Sequence, residues 1–383
     1  MKLAFLFLST CFICQLSWSQ VTKDSTAASD SALLKQIEAQ MNNNQPPATP
    51  PTQQVRSSLT FNPDLGVIGD FQGSYTSQGN KNFDLYLNET ELSLQAAVDP
   101  YIRADFFLTL GRDPVTGKYG AAVEEGYLTT LSLPARLQLK AGKFRQAVGR
   151  INSMHPHALP FIDMPNAFVN YFGEEGLNDE GISLSWLLPN KKFYQEAIFQ
   201  LTSGFSESPA FARSAGNHFI YLGHLKNFFT LTDNATLELG VTGISGPNDS
   251  ARTTNIAAAD LTYKWKPVQL NTYHSLTWQS EFFYSNAGMP GNIGSQNSFG
   301  LYSYLQYQLA SRWFLTGRYD YAQKPYDNSI VENAFSLTGG WYATEFSKME
   351  LEAKTTSSNV QSSYFQAWLR WIFVIGAHGA HQY

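Results

Sequence analysis

Cysteine is nearly absent from this chain. The 383 residues include two, Cys11 and Cys14, both close to the start. Past residue 14 there is therefore no disulfide framework and no thiol chemistry. Charge is scarce as well: 15 % of residues are Asp, Glu, Lys or Arg, and the formal net charge is −5. A slightly acidic chain lacks the basic footprint of a nucleic-acid binder, so no nucleic-acid partner is expected. After the first residues no apolar run approaches the ~18 residues of a transmembrane helix. Mean hydropathy is −0.25, too polar for a helical membrane protein. Aromatic residues, by contrast, are abundant: 27 Phe, 20 Tyr and 8 Trp make up 14 % of the chain.

The chain starts MKLAFLFLSTCFICQLSWSQ. Lys2 is a short basic region, Leu3–Cys14 an apolar one, and Ser17-Trp18-Ser19 a small-x-small cleavage site. This predicts a secretory signal peptide over residues 1–19, removed before Gln20, which takes both cysteines with it. LSTC at 8–11 resembles a lipobox, but Thr10 stands where a smaller residue is usual and the preceding apolar stretch is short. The mature chain is thus exported, and is either soluble or a β-barrel. Residues 20–56 read as a short helix and a linker. In ALLKQIEAQMNN, 32–43, Leu33, Leu34, Ile37 and Met41 share one helical face behind Asp30 or Ser31 as N-cap. At about three turns such a helix is marginal alone. It is read as a frayed tail or as a periplasmic oligomerisation helix. The Pro-rich stretch at 42–54 is a linker.

From residue 57 to 383 the dominant period is two. It predicts sixteen strands, at about 65–76, 83–98, 101–111, 121–133, 135–145, 181–188, 193–203, 217–229, 235–244, 255–266, 274–285, 298–309, 312–322, 332–344, 348–356 and 363–375. Connections alternate in length. Those after even-numbered strands are mostly short, such as DP at 99–100 and TDN at 232–234. Those after odd-numbered strands are longer and rich in Gly, Asn and Ser, such as GRDPVTGKYG and NAGMPGNIGSQN. A Greek-key sandwich gives no such alternation. An up-and-down outer-membrane barrel does, with short periplasmic turns, longer external loops and an even strand number.

The strand faces agree. In 363–375, Phe365, Ala367, Leu369, Trp371, Phe373 and Ile375 form a wholly apolar face, opposite one that carries Gln366 and Arg370. In 312–322, Trp313, Leu315, Tyr319 and Tyr321 oppose Thr316, Arg318 and Asp320. Charge keeps one parity along a strand, as expected when apolar side chains face lipid and ionisable ones a wet lumen. Aromatics near strand ends (Trp265, Tyr273, Trp313, Trp341, Tyr342) suit an interfacial girdle. The expected fold is therefore all-β, a 16-stranded antiparallel transmembrane barrel with a short N-terminal periplasmic helical segment.

The longest connection is 146–180. Its Phe161, Ile162, Phe168, Val169, Tyr171 and Phe172 argue for packing inside the barrel rather than for a solvated loop. The runs FDLYLNETELSLQAAVDPYIRADFFLTLG and LPARLQLKAGKFRQAVGRIN resemble the phosphate-selective porin O/P superfamily. HPHALPFIDMP and the terminal AHGAH resemble a sub-branch labelled zinc-regulated TonB-dependent outer-membrane receptors. The resemblance covers roughly 58–383. It implies an outer-membrane channel of a Gram-negative bacterium, a homotrimer, and a third external loop folded into the pore. The terminal aromatic Tyr383 resembles the C-terminal signal by which the barrel-assembly machinery recognises such chains. A plug domain would not fit in residues 20–57.

Pore-lining positions are expected at Glu89, Glu91, Arg103, Asp105, Arg136, Lys140, Lys264, Arg318, Asp320 and Arg370, with His155, His157 and Asp163 in the constriction loop. Inward acids are at least as numerous as inward bases, which points to a mixed or slightly cation-favouring lumen rather than a phosphate ladder. His155 and His157, and His378 and His381, are candidate metal ligands, with zinc the metal in view; otherwise no cofactor is expected. Ser153 beside His155 is the one local nucleophile–base pair, with no third member, so the chain is not read as an enzyme. The expected function is diffusion of small hydrophilic solutes or ions across the outer membrane through a lumen narrowed by 146–180. The alternatives are a zinc-responsive receptor or uptake channel, and a non-conducting structural barrel.

Overall fold

The alternating pattern forms sixteen antiparallel strands that close on themselves. The computed structural model describes residues 63–79, 83–114, 116–213, 218–292 and 294–376. The segments read as signal peptide, helix and linker lie outside the described residues, as do His378, His381 and Tyr383. In chain order the strands are β1 Asp64–Thr76, β2 Phe83–Ala97, β3 Ile102–Arg112, β4 Tyr119–Thr130, β5 Leu137–Arg145, β6 Asn178–Leu187, β7 Tyr194–Thr202 and β8 Ile220–Thr232. They continue as β9 Ala235–Pro247, β10 Thr253–Trp265, β11 Leu276–Gly288, β12 Ser295–Ala310, β13 Trp313–Lys324, β14 Asp327–Thr344, β15 Ser347–Ser358 and β16 Tyr364–Gly376. Each strand pairs with its sequence neighbours, and β1 closes the ring on β16 from Gly66↔Gly376 to Thr76↔Gln366. Among the described strands none lies at a sheet edge. The β4–β5 seam is short, Gly126↔Lys143 to Thr129↔Lys140, and beyond it the Lys143 and Asn178 side chains donate to the Val123 and Glu124 carbonyls.

Burial is inverted relative to a water-soluble protein. Phe335, Leu337, Phe365, Leu369 and Trp371 are exposed, while Arg318, Glu352 and Arg370 are almost wholly buried. The exposed positions are the outward parity and the buried ones the inward parity, as the alternation requires. Besides irregularities at the turn ends of β8–β9, β12–β13, β13–β14 and β14–β15, two bulges lie within the strands. Between Asp70 and Phe71 the β1–β2 register slips by Asn88, and between Phe107 and Leu108 the β3–β4 register slips by Glu124. The second bulge turns both Glu124 and Glu125 inward, which strict alternation forbids.

Several loops are shorter than composition suggests. The Ser- and Asn-rich stretches before β12 and β14 continue the ladder, leaving 289–294 and 325–326 as the connections. Cross-strand side-chain bonds make this possible: Asn286 Nδ2 donates to Asn297 Oδ1 at 2.6 Å, and Asn328 Nδ2 to the Asn297 carbonyl at 3.0 Å. Arg136, expected in the pore lining, does not reach it: it lies in the exposed 3-10 turn Pro134–Arg136, and β5 starts one residue later. Pro134 has no N–H for the ladder, and Ala135 and Arg136 both take positive φ. Of the expected girdle, Trp313 faces outward beside Trp341, with ring centroids 6.3 Å apart. Tyr342, one residue on, has inward parity and pairs with Lys348.

Candidate functional site

Residues 146–177 connect β5 to β6 by way of the barrel interior. Four sets of contacts hold them there. At the entry, the Ala147 N–H donates to Gln200 Oε1 at 2.9 Å. Gly149 then takes φ +55, and a Cβ at this position would sit 2.3 Å from Glu281 Oε2. Only glycine allows this approach. It lets the N–H groups of Arg150 and Ile151 each donate to Glu281 Oε1 at 2.8 Å, while Arg150 Nη1 reaches Glu238 Oε1 at 2.8 Å.

The second set is apolar. Helix α1, Asn166–Phe172, buries Ala167, Phe168, Tyr171 and Phe172 against β12 and β13. Phe283 of β11 lies 5.4 Å from Phe172 between ring centroids. Gly300 of β12 makes room for Tyr171, whose ring would sit 2.6 Å from a Cβ there. Val148, Ile151, Leu159 and Phe161 join the same cluster, together with Ile244, Ile256 and Tyr302 from the wall. A fully buried aromatic of this kind contributes about 1.5–3 kcal/mol. The apolar content of the loop is thus spent inside the barrel, as its composition suggested.

The third set is ionic. Arg370 donates to the carbonyls of Pro156, Leu159 and Phe161 at 3.1, 3.3 and 2.9 Å, and through Nε to Glu350 Oε2 at 2.8 Å. Arg318 binds the Asp163 carboxylate at 2.8 Å and its carbonyl at 2.9 Å, and Lys354 pairs with the same carboxylate. Burial favours the neutral acid of Asp163, but Arg318 and Lys354 outweigh it and hold the group well below the usual carboxylate range.

The fourth set lies against the β2–β4 wall. His155 precedes the 3-10 turn Pro156–Ala158, which brings its ring and that of His157 to 5.5 Å between centroids. His155 Nδ1 is 3.0 Å from Glu91 Oε2 and 3.5 Å from Glu124 Oε1, and its Nε2 is 3.3 Å from Glu125 Oε1. His157 Nδ1 is 3.6 Å from the same Glu91 oxygen. Burial disfavours a charged His155, yet hydrogen bonds that its ring donates to Glu124, Glu125 and Glu91 prevail and raise it well above the ordinary histidine range. Ser153 is not part of this arrangement: its hydroxyl donates to the Arg150 carbonyl at 2.9 Å.

The residues expected to line a lumen thus fall into groups. Glu89, Glu91, Arg103, Asp105, Lys140 and Lys264 have inward parity. Arg103 pairs with Asp105 at 2.8 Å, and Lys140 Nζ sits 4.1 Å from the Tyr127 ring centroid. Arg318, Asp320 and Arg370 also point inward but are covered by the loop, so they act as its anchors rather than as an open lining. His155, His157 and Asp163 lie in the infolded segment as expected. Glu124 and Glu125 were missed. Their signal is a slip in outward parity, from the odd positions Ala121 and Val123 to the even positions Gly126 and Leu128.

No family model matches the chain. An uncharacterized protein of Aquifex aeolicus (strain VF5) is 28 % identical over 395 aligned positions, spanning 85 % of this chain and 81 % of that protein. Among solved structures, the outer membrane channel DcaP of Acinetobacter baumannii aligns with a TM-score of 0.59 at 9 % identity, over 82 % of this chain and 97 % of that one. An OmpT loop-deletion mutant of Vibrio cholerae gives 0.57 at 9 % identity, over 82 % and 99 %. The anion-selective porin of Comamonas acidovorans gives 0.55 at 10 % identity, over 82 % and 99 %. Identities this low bear on architecture alone, and on that ground the chain has the closed sixteen-stranded fold of outer-membrane porins and channels.

Proposed function

We propose that this protein is an outer-membrane channel of a Gram-negative bacterium, through which small hydrophilic solutes or ions diffuse past the infolded segment. The observation that carries the reading is the inverted burial: ionisable side chains inside a closed ring, apolar ones outside it. A sixteen-strand ring encloses more space than wall side chains fill, and the segment 146–177 occupies part of the remainder. The β5–β6 end is then the external one, and the short turns are periplasmic. Transport of this kind needs bore width and lining charge, and no chemical step.

Buried acids among the described residues, Asp70, Glu91, Asp105, Asp260, Glu281 and Glu350 with others, outnumber the buried bases Arg145, Arg318, Lys348, Lys354 and Arg370. This balance favours cations and argues against phosphate as the preferred solute, although a place near the phosphate-selective porin O/P superfamily remains part of the reading. Homotrimerisation, entry through the barrel-assembly machinery and residence in outer-membrane lipid belong to the same proposal; one OmpT structure of Vibrio cholerae is described as a trimer form. The experiment is planar-bilayer recording with a salt gradient. Discrete conductance steps with a reversal potential on the cation side are expected. Folded protein that inserts and never conducts would favour the structural-barrel reading, and an anion-side potential would refute the charge argument.

The contacts of His155 and His157 with Glu91 favour a second reading, a channel or receptor that responds to zinc. It keeps the same barrel and adds a ligand.

A further inference from the structure

We propose that Glu91, His155 and His157, with Glu124 beside them, bind one divalent transition-metal ion of the zinc class, and that the bound ion ties the infolded segment to the β2–β4 wall. The inference does not depend on whether the barrel conducts.

Geometry comes first. Glu91, His155 and His157 are all buried, and each offers a ligand atom within 4.8 Å of the others. Metal–ligand bonds of about 2.0–2.2 Å place tetrahedral ligands roughly 3.5 Å apart. The Glu91 oxygen already lies 3.0 and 3.6 Å from the two Nδ1 atoms. Glu89, Glu91 and Glu124 form a second such group that shares Glu91. Glu124 adjoins the first group, its Oε1 3.5 Å from His155 Nδ1, so a small side-chain shift would bring it in as a fourth ligand.

Charge is the second observation. Four carboxylates, Glu89, Glu91, Glu124 and Glu125, gather around this point and are met by two groups, Arg145, which pairs with Glu124 and lies 3.7 Å from Glu125, and the His155 ring itself. Buried carboxylates in excess of their counter-charges are costly. One Glu124 oxygen, Oε2, is buried with no hydrogen-bond partner among the described residues. A divalent cation would supply both the missing charge and a partner for such an oxygen.

The ligand types select the ion. Two imidazoles with carboxylates suit zinc and its neighbours, whereas an all-oxygen cage would suit calcium or magnesium. The ligands come from two sources, the loop through His155 and His157 and the wall through Glu91 and Glu124, so the ion would act as a clasp.

The test uses the purified full-length mature protein, its fold checked by heat-dependent mobility. Zn2+ binding is measured by equilibrium dialysis and Co2+ binding by visible absorption. One saturable ion is expected per chain. Affinity should fall by at least ~10-fold in His155→Asn and in His157→Asn. The His378→Asn/His381→Asn variant, altered in the terminal tail, should bind as the parent does. His157→Asn keeps the test open if His155→Asn fails to fold. No saturable binding by the parent, unchanged affinity in His157→Asn, or loss confined to the tail variant would each overturn the proposal.

Discussion

Replacing residues 155–172 with a short Gly/Ser linker raises single-channel conductance by roughly threefold or more while the barrel still inserts and closes. The expectation follows from where this segment lies. Helix α1 and Phe161 fill the interior beside β11–β13, and the His155–His157 turn rests against β2 and β4. In a ring of sixteen paired strands those two walls are about half a circumference apart, so the segment crosses the interior. The wall itself is stitched by continuous ladders that do not use the segment. Removing it therefore empties space without unpairing strands, and a sixteen-strand ring leaves an aqueous channel when empty. Conductance is read in planar bilayers, with the parent recorded under the same salt. An unchanged value in correctly folded protein would mean that the current takes a path the segment does not border.

Substituting Arg370 with Met lowers the stability of the docked segment by about 3–5 kcal/mol, the usual cost of removing one partner of a buried ion pair. Arg370 is one of the largest wholly buried side chains, and it joins Glu350 to three loop carbonyls. Methionine fills much of the volume but leaves the carboxylate and the carbonyls without that donor. Lysine keeps the charge yet lacks the forked donors that reach all these acceptors, so Arg370→Lys recovers only part of the loss. The double variant Arg370→Met/Glu350→Leu does not recover the loss, because Glu350 is also the partner of buried Lys348 at 3.3 Å, which the variant leaves unpaired. Hydrogen exchange over 155–163, read alongside urea unfolding of the barrel, separates loop release from global loss. Unaltered exchange in Arg370→Met would show that the apolar contacts of α1 hold the segment unaided.

The barrel was legible in the sequence because the lipid-facing requirement is strict. Phe365, Leu369 and Trp371 allow one register only, since a slip of one residue would put Arg370 in hydrocarbon. Composition was a weaker guide. Asn297 and Asn328 read as loop residues, yet cross-strand amide bonds carry the strands through them. Arg136 was misplaced because Pro134 ends the ladder before the expected strand begins. Counting charges by parity found Arg318 and Arg370 inside but not their roles, because their partners, Asp163 and the carbonyls of 156–161, lie more than 150 positions away. The glutamates around His155 were half visible: Glu91 sits in phase, while Glu124 and Glu125 owe their inward aim to a bulge.

The inside-out arrangement is tested most directly by spin-label accessibility, for which a barrel with no cysteine after Cys14 is suited. Single cysteines at Ala259 and Lys264 of β10, and at Phe106 and Arg103 of β3, sample opposite faces of two strands. In lipid bilayers, labels at Ala259 and Phe106 are predicted to be relaxed by oxygen, and labels at Lys264 and Arg103 by a water-soluble nickel chelate. Nickel access at Ala259 and Phe106 together with oxygen access at Lys264 and Arg103 would contradict the placement of every charged residue described above.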